Sequence, residues 1–401
     1  MDESGLAKLL SPEGWALLSA LPPYDEKLAM VLSERLRKDG FDPGLVAAAL
    51  TQSRLRAKAQ AKLGEFADGM LFTPAGLEQA TRLVVAAQHA RRYVTAGVTK
   101  VADLTSGLGA DAMAFAGTGL RVLAVEADET TAALATLNLR AFPEAVVRHG
   151  DGLAVDLVAE GVDGVYADPA RRTSGGSRVF DPAAYAPPLD SLLALRERVP
   201  ALGLKLGPGV PHAALPEDAE AQWVSVDGDV VELGLWFGPL AADGPGRAAL
   251  LLGADGGSAV LRAGAPSTEG HPPVGDVSAY LYEPDGAVIR AGLVAEVAAE
   301  VQGRLVDRTI AYVTSDALHP TPFATAYRVL DRMPFGLKRL RSYLRERQVG
   351  SLTIKKRGTA VVPEQLRRQL DLRGTTTATI VLTRVAGQQH VLVVEPVGTA
   401  A

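Results

Sequence analysis

Four short apolar segments between Val101 and Pro169 each end in a carboxylate. They are Val101-Ala-Asp103, Leu123-Ala-Val-Glu126, a short segment closing at His149-Gly-Asp151, and Gly164-Val-Tyr-Ala167 running into Asp168-Pro169. The stretch from Thr130 to Ala141 between the second and third has helical composition. Short apolar strands alternating with helices predict a doubly wound α/β sheet with parallel strands. In such a sheet all four acids stand at the carboxyl edge, where ligands bind.

The first strand leads into Gly107-Leu-Gly109, a turn whose missing Cβ atoms let the backbone approach a ligand. Glu126 at the next strand end is placed to accept hydrogen bonds from both hydroxyls of a ribose. A nucleoside-type cofactor is therefore expected. Gly107-Leu-Gly-Ala-Asp-Ala112 also fits the dinucleotide fingerprint with alanine at its third position, so a nicotinamide or flavin enzyme is the rival. A helix N-terminus facing a pyrophosphate gains nothing from neighbouring acid, yet Asp103 and Asp111 flank this turn. Acid suits a cation, and S-adenosylmethionine (SAM) carries a sulfonium and an α-ammonium.

On this reading Asp103 takes the ammonium, Gly107 and Gly109 lie against the methionine part, Glu126 holds the ribose and Asp151 the adenine amine. Asp111 reads equally as a ligand contact or as a helix N-cap. Each residue also has a plainer role: a strand-to-helix turn for the glycines, a solvated strand end for Glu126, and a ligand-free sheet for the whole.

Asp168 and Pro169 put a carboxylate and a proline-fixed carbonyl at the same edge. These are the candidate catalytic residues. The polar, glycine-rich run Arg171-Arg-Thr-Ser-Gly-Gly-Ser-Arg178 follows, and Arg171 and Arg172 are expected to meet a phosphate or base edge; the alternative is an ordinary surface loop. Lys205 is placed to approach Asp168 or a substrate phosphate, with a structural ion pair as the simpler reading.

The chain resembles bacterial class I SAM-dependent methyltransferases that carry a C-terminal THUMP-like domain. The resemblance covers nearly its whole length. It rests on Thr51-Gln-Ser-Arg-Leu-Arg-Ala-Lys-Ala-Gln-Ala-Lys62, Gly76-Leu-Glu-Gln-Ala-Thr-Arg82, the Asp103 to Asp111 turn, Asp168-Pro-Ala-Arg-Arg172, Lys205-Leu-Gly-Pro-Gly209 and Ser351-Leu-Thr-Ile-Lys-Lys-Arg-Gly358. It implies a class I Rossmann-like catalytic sheet, SAM as cofactor, and Glu78 to Thr81 beside that cofactor. Through the THUMP-like domain it implies RNA as a partner. Enzymes of this class that methylate amines commonly carry proline and an aromatic after Asp-Pro, whereas this chain has Ala170 and Arg171; Tyr166, Phe180 or Tyr185 would have to supply the ring.

The chain has 401 residues, enough for two or three domains. It reads as a helical N-terminal region over 1–95, a methyltransferase domain over 96–240, a linking α/β region over 241–308 and a small α/β THUMP-like domain over 309–401. No apolar run approaches a membrane span, and the start Met1-Asp-Glu-Ser lacks the features of a signal peptide, so a cytoplasmic protein is expected. With no cysteine, disulfides and zinc-thiolate sites are excluded. So is the thiolate addition that C5 methylation of pyrimidines normally requires.

Charge is distributed unevenly. From Ala311 to His390 there are 14 Lys and Arg against 5 Asp and Glu, or +9, so a net charge of -5 leaves -14 for the remainder. A basic segment is the footprint of phosphate contacts, and Lys355, Lys356 and Arg357 are the candidate substrate-binding residues within it; a solvated helix face with a basic hairpin is the alternative. Together these features predict direct, in-line methylation of an RNA base nitrogen, in tRNA or rRNA. A small-molecule methyltransferase and an RNA-binding protein with a vestigial catalytic domain are the rivals.

Overall fold

The computed structural model describes residues 3–171, 182–254, 256–264 and 272–398. The chain divides into two compact units. The first comprises residues 1–206, 211–219 and 234–245, and the second comprises 207–210, 220–233 and 246–401.

The first unit opens with helices whose starts are written in the sequence. Ser11 caps the helix Pro12–Ala20 by accepting the Gly14 N–H, and Asp42 caps Pro43–Leu63 by accepting the Leu45 N–H. In each case proline follows the cap, where its missing N–H costs no hydrogen bond. Between Tyr24 and Arg37 the helix forms only from Ala29, running on to Lys38, and of the apolar residues Leu28, Val31, Leu32 and Leu36 only Leu36 is buried. Leu28 and Val31 are exposed, at 59% and 65%. Helical periodicity supplied the face, but the neighbouring helices cover one end of it.

Five parallel strands follow: β1 (Lys100–Asp103), β2 (Arg121–Glu126), β3 (Ala145–His149), β4 (Gly164–Ala167) and β5 (Leu202–Leu206). Their order is β3-β2-β1-β4-β5. The helices Ala110–Gly117 and Glu129–Asn138 make the first two crossovers. Strand order reverses between β1 and β4, and a crevice opens at the carboxyl ends there. The N-terminal helices share one apolar core with this sheet, which runs from Leu9, Leu63 and Phe72 through Tyr93 and Phe115 to Trp236.

The second unit contains the hairpin of Gly246–Leu252 with Ser258–Arg262 and a seven-stranded sheet. In sheet order the strands are Arg304–Asp307, Ile310–Ser315, Tyr280–Pro284, Ala324–Pro334, Gln388–Pro396, Thr376–Val385 and Val349–Lys356. Alternation along them serves two cores. Ile380, Leu382, Val391 and Val393 face the helices Leu337–Glu346 and Pro363–Leu370, while Val381, Leu392 and Val394 pack with Leu281, Tyr312 and Tyr327. The helix Val294–Glu300 stops short of Arg304, where the edge strand of the sheet begins. The long strand Ala324–Pro334 carries little apolar signal because it alternates with Arg328, Asp331 and Arg332.

Candidate functional site

The four acid-ending strands deliver their carboxylates to one region of the first unit. A cavity of about 590 Å³ opens there, a volume typical of small-molecule sites. Thr105 to Leu108, Glu126, Asp151, Asp168, Tyr185 and the segment Gln79 to Thr81 are among its lining residues.

The turn after β1 is built for close approach. Gly107 has φ +54° and Gly109 φ +87°, a left-handed region that favours glycine. A Cβ on Gly107 would meet no atom within 4 Å, so its open side is the cavity side, whereas one on Gly109 would press on Leu139 at 3.2 Å. Glu126 is held from behind, accepting the Gly107 N–H and the Asp128 N–H, both at 2.9 Å. Asp151 caps a short turn through the Leu153 N–H at 2.9 Å and presents its exposed side to the cavity.

Asp103 is buried behind the cavity wall, 1% exposed, next to the lining residue Leu104 and not itself among the lining residues. The Thr105 N–H approaches it at 3.3 Å. Burial, reinforced by the carboxylates of Asp111, Asp168 and Glu126, pushes its carboxyl well above the usual range. A buried acid in acidic company is poised for a cation. The Ser106 hydroxyl, also at the cavity wall, is buried with no hydrogen-bond partner among the described residues.

Asp111 is occupied differently. The helix cap is Gly109, and Asp111, in the first turn, accepts the Thr81 hydroxyl at 2.6 Å and faces His89 Nδ1 at 2.8 Å. Burial alone would raise its carboxyl, but His89, Lys205 and Thr81 together take it below the ordinary value. His89 is itself 2% exposed. Its ring packs at a tilt against Tyr166 and Trp236, each at 5.4 Å between centroids.

At the end of β4 the Asp168 N–H donates to the Thr105 hydroxyl at 2.6 Å. Lys205 on β5 reaches the Asp168 carboxylate at 2.5 Å and the Thr81 hydroxyl at 2.9 Å. Pro169 is buried. Ala170 and Arg171 pair with Tyr185 and Ala186 as a two-stranded ribbon, which brings Tyr185 to the cavity wall. Tyr166 is buried in the core. Arg172 and Phe180 lie outside the described residues, as does most of the basic loop.

Of the predicted cofactor set, Gly107, Asp111, Glu126 and Asp151 line the cavity together with Asp168, whereas Asp103 and Gly109 lie behind its wall. Lys355, Lys356 and Arg357 are in the second unit. Lys355 pairs with Glu283 at 2.6 Å, Lys356 donates to the Val361 carbonyl at 3.0 Å, and Arg357 lies over the Tyr312 ring at 5.5 Å. Thr81, placed beside the cofactor by the family resemblance, does line the cavity, whereas sequence reading passed over His89, which nothing local marks.

A class I methyltransferase architecture is what this fold and this cavity describe, and comparison with known proteins agrees. The chain is 35% identical over 346 residues to an uncharacterized S-adenosylmethionine-dependent methyltransferase from two strains of Mycobacterium tuberculosis, over 82% of this chain and 90% of the relative. A crystal structure of a provisionally assigned methyltransferase from Porphyromonas gingivalis W83 matches with TM-score 0.73 and 22% identity, over 94% of this chain and 100% of that one. Residues 324–396 match the THUMP domain-like family, and residues 2–59 match a domain of unknown function (DUF8688). The chain belongs to the S-adenosylmethionine-dependent methyltransferases, with a THUMP-like domain at its C-terminal end.

Proposed function

We propose that this methyltransferase acts on a base nitrogen of an RNA, with SAM held across the carboxyl ends of β1 to β4. The single observation that carries the cofactor placement is the buried, acid-surrounded Asp103 beneath a glycine turn open to the cavity. Asp103, buried behind the cavity wall, is the acid assigned to the α-ammonium, the Gly107 and Gly109 backbone lies along the methionine part, Glu126 takes the ribose and Asp151 the adenine amine. The orphan Ser106 hydroxyl is a further polar group available to the cofactor. Bound there, SAM supplies an electrophilic methyl carbon on a sulfonium.

The chain's own residues do the rest. Asp168 and the Pro169 carbonyl orient the N–H of the target and accept its proton once the new N–C bond has formed. Tyr185 offers a ring beside them. Holding nucleophile and methyl at attack distance is the main contribution to rate. Arg171 and Arg172 belong to the substrate side.

RNA as the partner is supported by the THUMP-like match and by the +9 charge of residues 311–390. In the helix Leu337–Glu346, Leu340 and Leu344 are buried while Lys338, Arg339 and Arg345 are exposed, a surface suited to phosphates. Lys355 to Arg357 add charge on the strand that follows. We read 96–240 as the catalytic domain, 1–95 as its helical N-terminal region, 241–308 as a link whose strands Tyr280–Pro284 and Arg304–Asp307 join the sheet that follows, and 309–401 as the THUMP-like domain of a cytoplasmic enzyme. The test is incubation of unmodified tRNA and rRNA transcripts with methyl-labelled SAM, followed by nucleoside analysis. Label in a base-methylated nucleoside supports the reading, whereas label only in small molecules replaces it with the small-molecule rival.

A further inference from the structure

We infer that Lys205 is a positioning residue that keeps Asp168 an ionised, weak base, suited to a nitrogen that sheds its proton after methyl transfer rather than to a hydroxyl. The inference rests on the reading of Asp168 as the group that meets the target. Its evidence is a run of hydrogen bonds whose polarity can be worked out atom by atom.

Thr81 has one hydroxyl proton, and Asp111 takes it at 2.6 Å. Toward Lys205 the same oxygen can therefore only accept, which it does at 2.9 Å. Lys205 Nζ thus donates to both Thr81 Oγ1 and Asp168 Oδ2. Beside the Asp168 carboxylate the strongly basic lysine is held as an ammonium. His89 closes the far end of the run on the other oxygen of Asp111. The Thr81 segment is itself pinned: Lys62 donates to the carbonyls of Leu77, Glu78 and Ala80 at 2.9, 2.6 and 3.1 Å.

Around the pair, the Asp111 carboxylate favours the lysine cation and Lys62 opposes it, while the buried carboxyl of Asp103 faces Asp168 as an acid of like kind. A carboxylate paired with an ammonium holds protons weakly. Such a base cannot help to generate an alkoxide from a ribose hydroxyl. It suffices for an amine or ring nitrogen, because methylation makes the departing N–H strongly acidic. In this step the N–CH₃ bond forms as the S–CH₃ bond breaks, the sulfur leaves neutral as S-adenosylhomocysteine (SAH), and the proton passes from nitrogen to Asp168 and on to solvent.

The test is a titration of the full-length protein with ¹³Cγ-labelled aspartate, bound to SAH, with the Asp168 signal assigned by its loss in Asp168→Asn. In Lys205→Met the midpoint should rise by at least about one pH unit, as expected on removing an adjacent cation. Thr81→Val should give a smaller rise, and Lys205→Arg should restore the wild-type curve. SAH affinity of each variant, measured by calorimetry, reports folding and cofactor binding separately. A midpoint that stays put in a Lys205→Met protein that binds SAH overturns the proposal. If Lys205→Met fails to fold, an unchanged midpoint in Thr81→Val does the same. The readout needs no methyl acceptor, so a shifted midpoint with no RNA methylated leaves the Lys205 role standing and removes the RNA reading, while RNA methylation without a shift does the reverse.

Discussion

The backbone N–H of Gly107 donates to the Glu126 carboxylate at 2.9 Å, tying the turn after β1 to the end of β2. With the Asp128 N–H on its other oxygen, Glu126 is oriented before any ligand arrives. Substituting Glu126 by alanine should weaken SAH binding by at least about tenfold, which is roughly 1.4 kcal/mol, because both the ribose contact and the hold on the turn are lost. Calorimetric titration checks this, and an unchanged dissociation constant would remove Glu126 from the cofactor site.

Asp103 should make cofactor binding depend on pH. Burial raises its carboxyl well above the usual range, so the folded, unliganded protein binds this proton more tightly than the unfolded chain does. The stability contributed by the protonated acid is full below the ordinary carboxylate value. It declines as pH rises from there toward the raised value. An α-ammonium prefers the ionised acid, so SAH binding within that window should release a proton and tighten with pH. Calorimetry in two buffers of different ionisation enthalpy measures the release, and Asp103→Asn should abolish it.

Asn138 is a structural support of the site. It is 6% exposed, and its amide bonds the N–H and carbonyl of Leu71 and the carbonyl of Leu108 at 2.7 to 3.1 Å. Asn138→Ala leaves those buried backbone groups unmatched, at a cost of about 2–3 kcal/mol. Urea denaturation should show it, and SAH affinity should fall with it since Leu108 lies within the glycine turn.

On the THUMP-like domain, reversing the exposed Lys338 and Arg339 to glutamate should weaken RNA binding across sequences and lower the slope of log K against log salt by about 1.5 to 2. Filter binding over a salt series reads both. SAH affinity should stay as it is in the wild type. An unchanged salt slope would take this helix face out of the RNA surface.

The acid-ended strands were legible because a strand ending in a charge at a glycine turn is a local pattern, readable within a few residues of Asp103, Glu126, Asp151 or Asp168. Asp111 was legible as a residue of interest but not as a partner of Thr81 and His89. Those contacts span 30 and 22 residues, and a lone threonine and a lone histidine carry no spacing signal. The strand Ala324–Pro334 escaped notice for a related reason, its alternation being diluted by charged residues that belong to an exposed face.

By itself the sequence determined the doubly wound sheet, the edge at which its acids gather, the class of cofactor they suit and the basic character of the C-terminal segment, since each depends on composition and short-range periodicity. Tertiary structure alone decided that Lys205, expected near Asp168, would also meet Thr81, 124 residues away in sequence. It also decided that Lys355 would be bound to Glu283, and that Leu28 and Val31 would stay exposed. The physical reason is that hydrogen bonds and ion pairs act over a few ångströms, and which side chains come that close depends on the crossovers of the chain, not on the residues beside them in sequence.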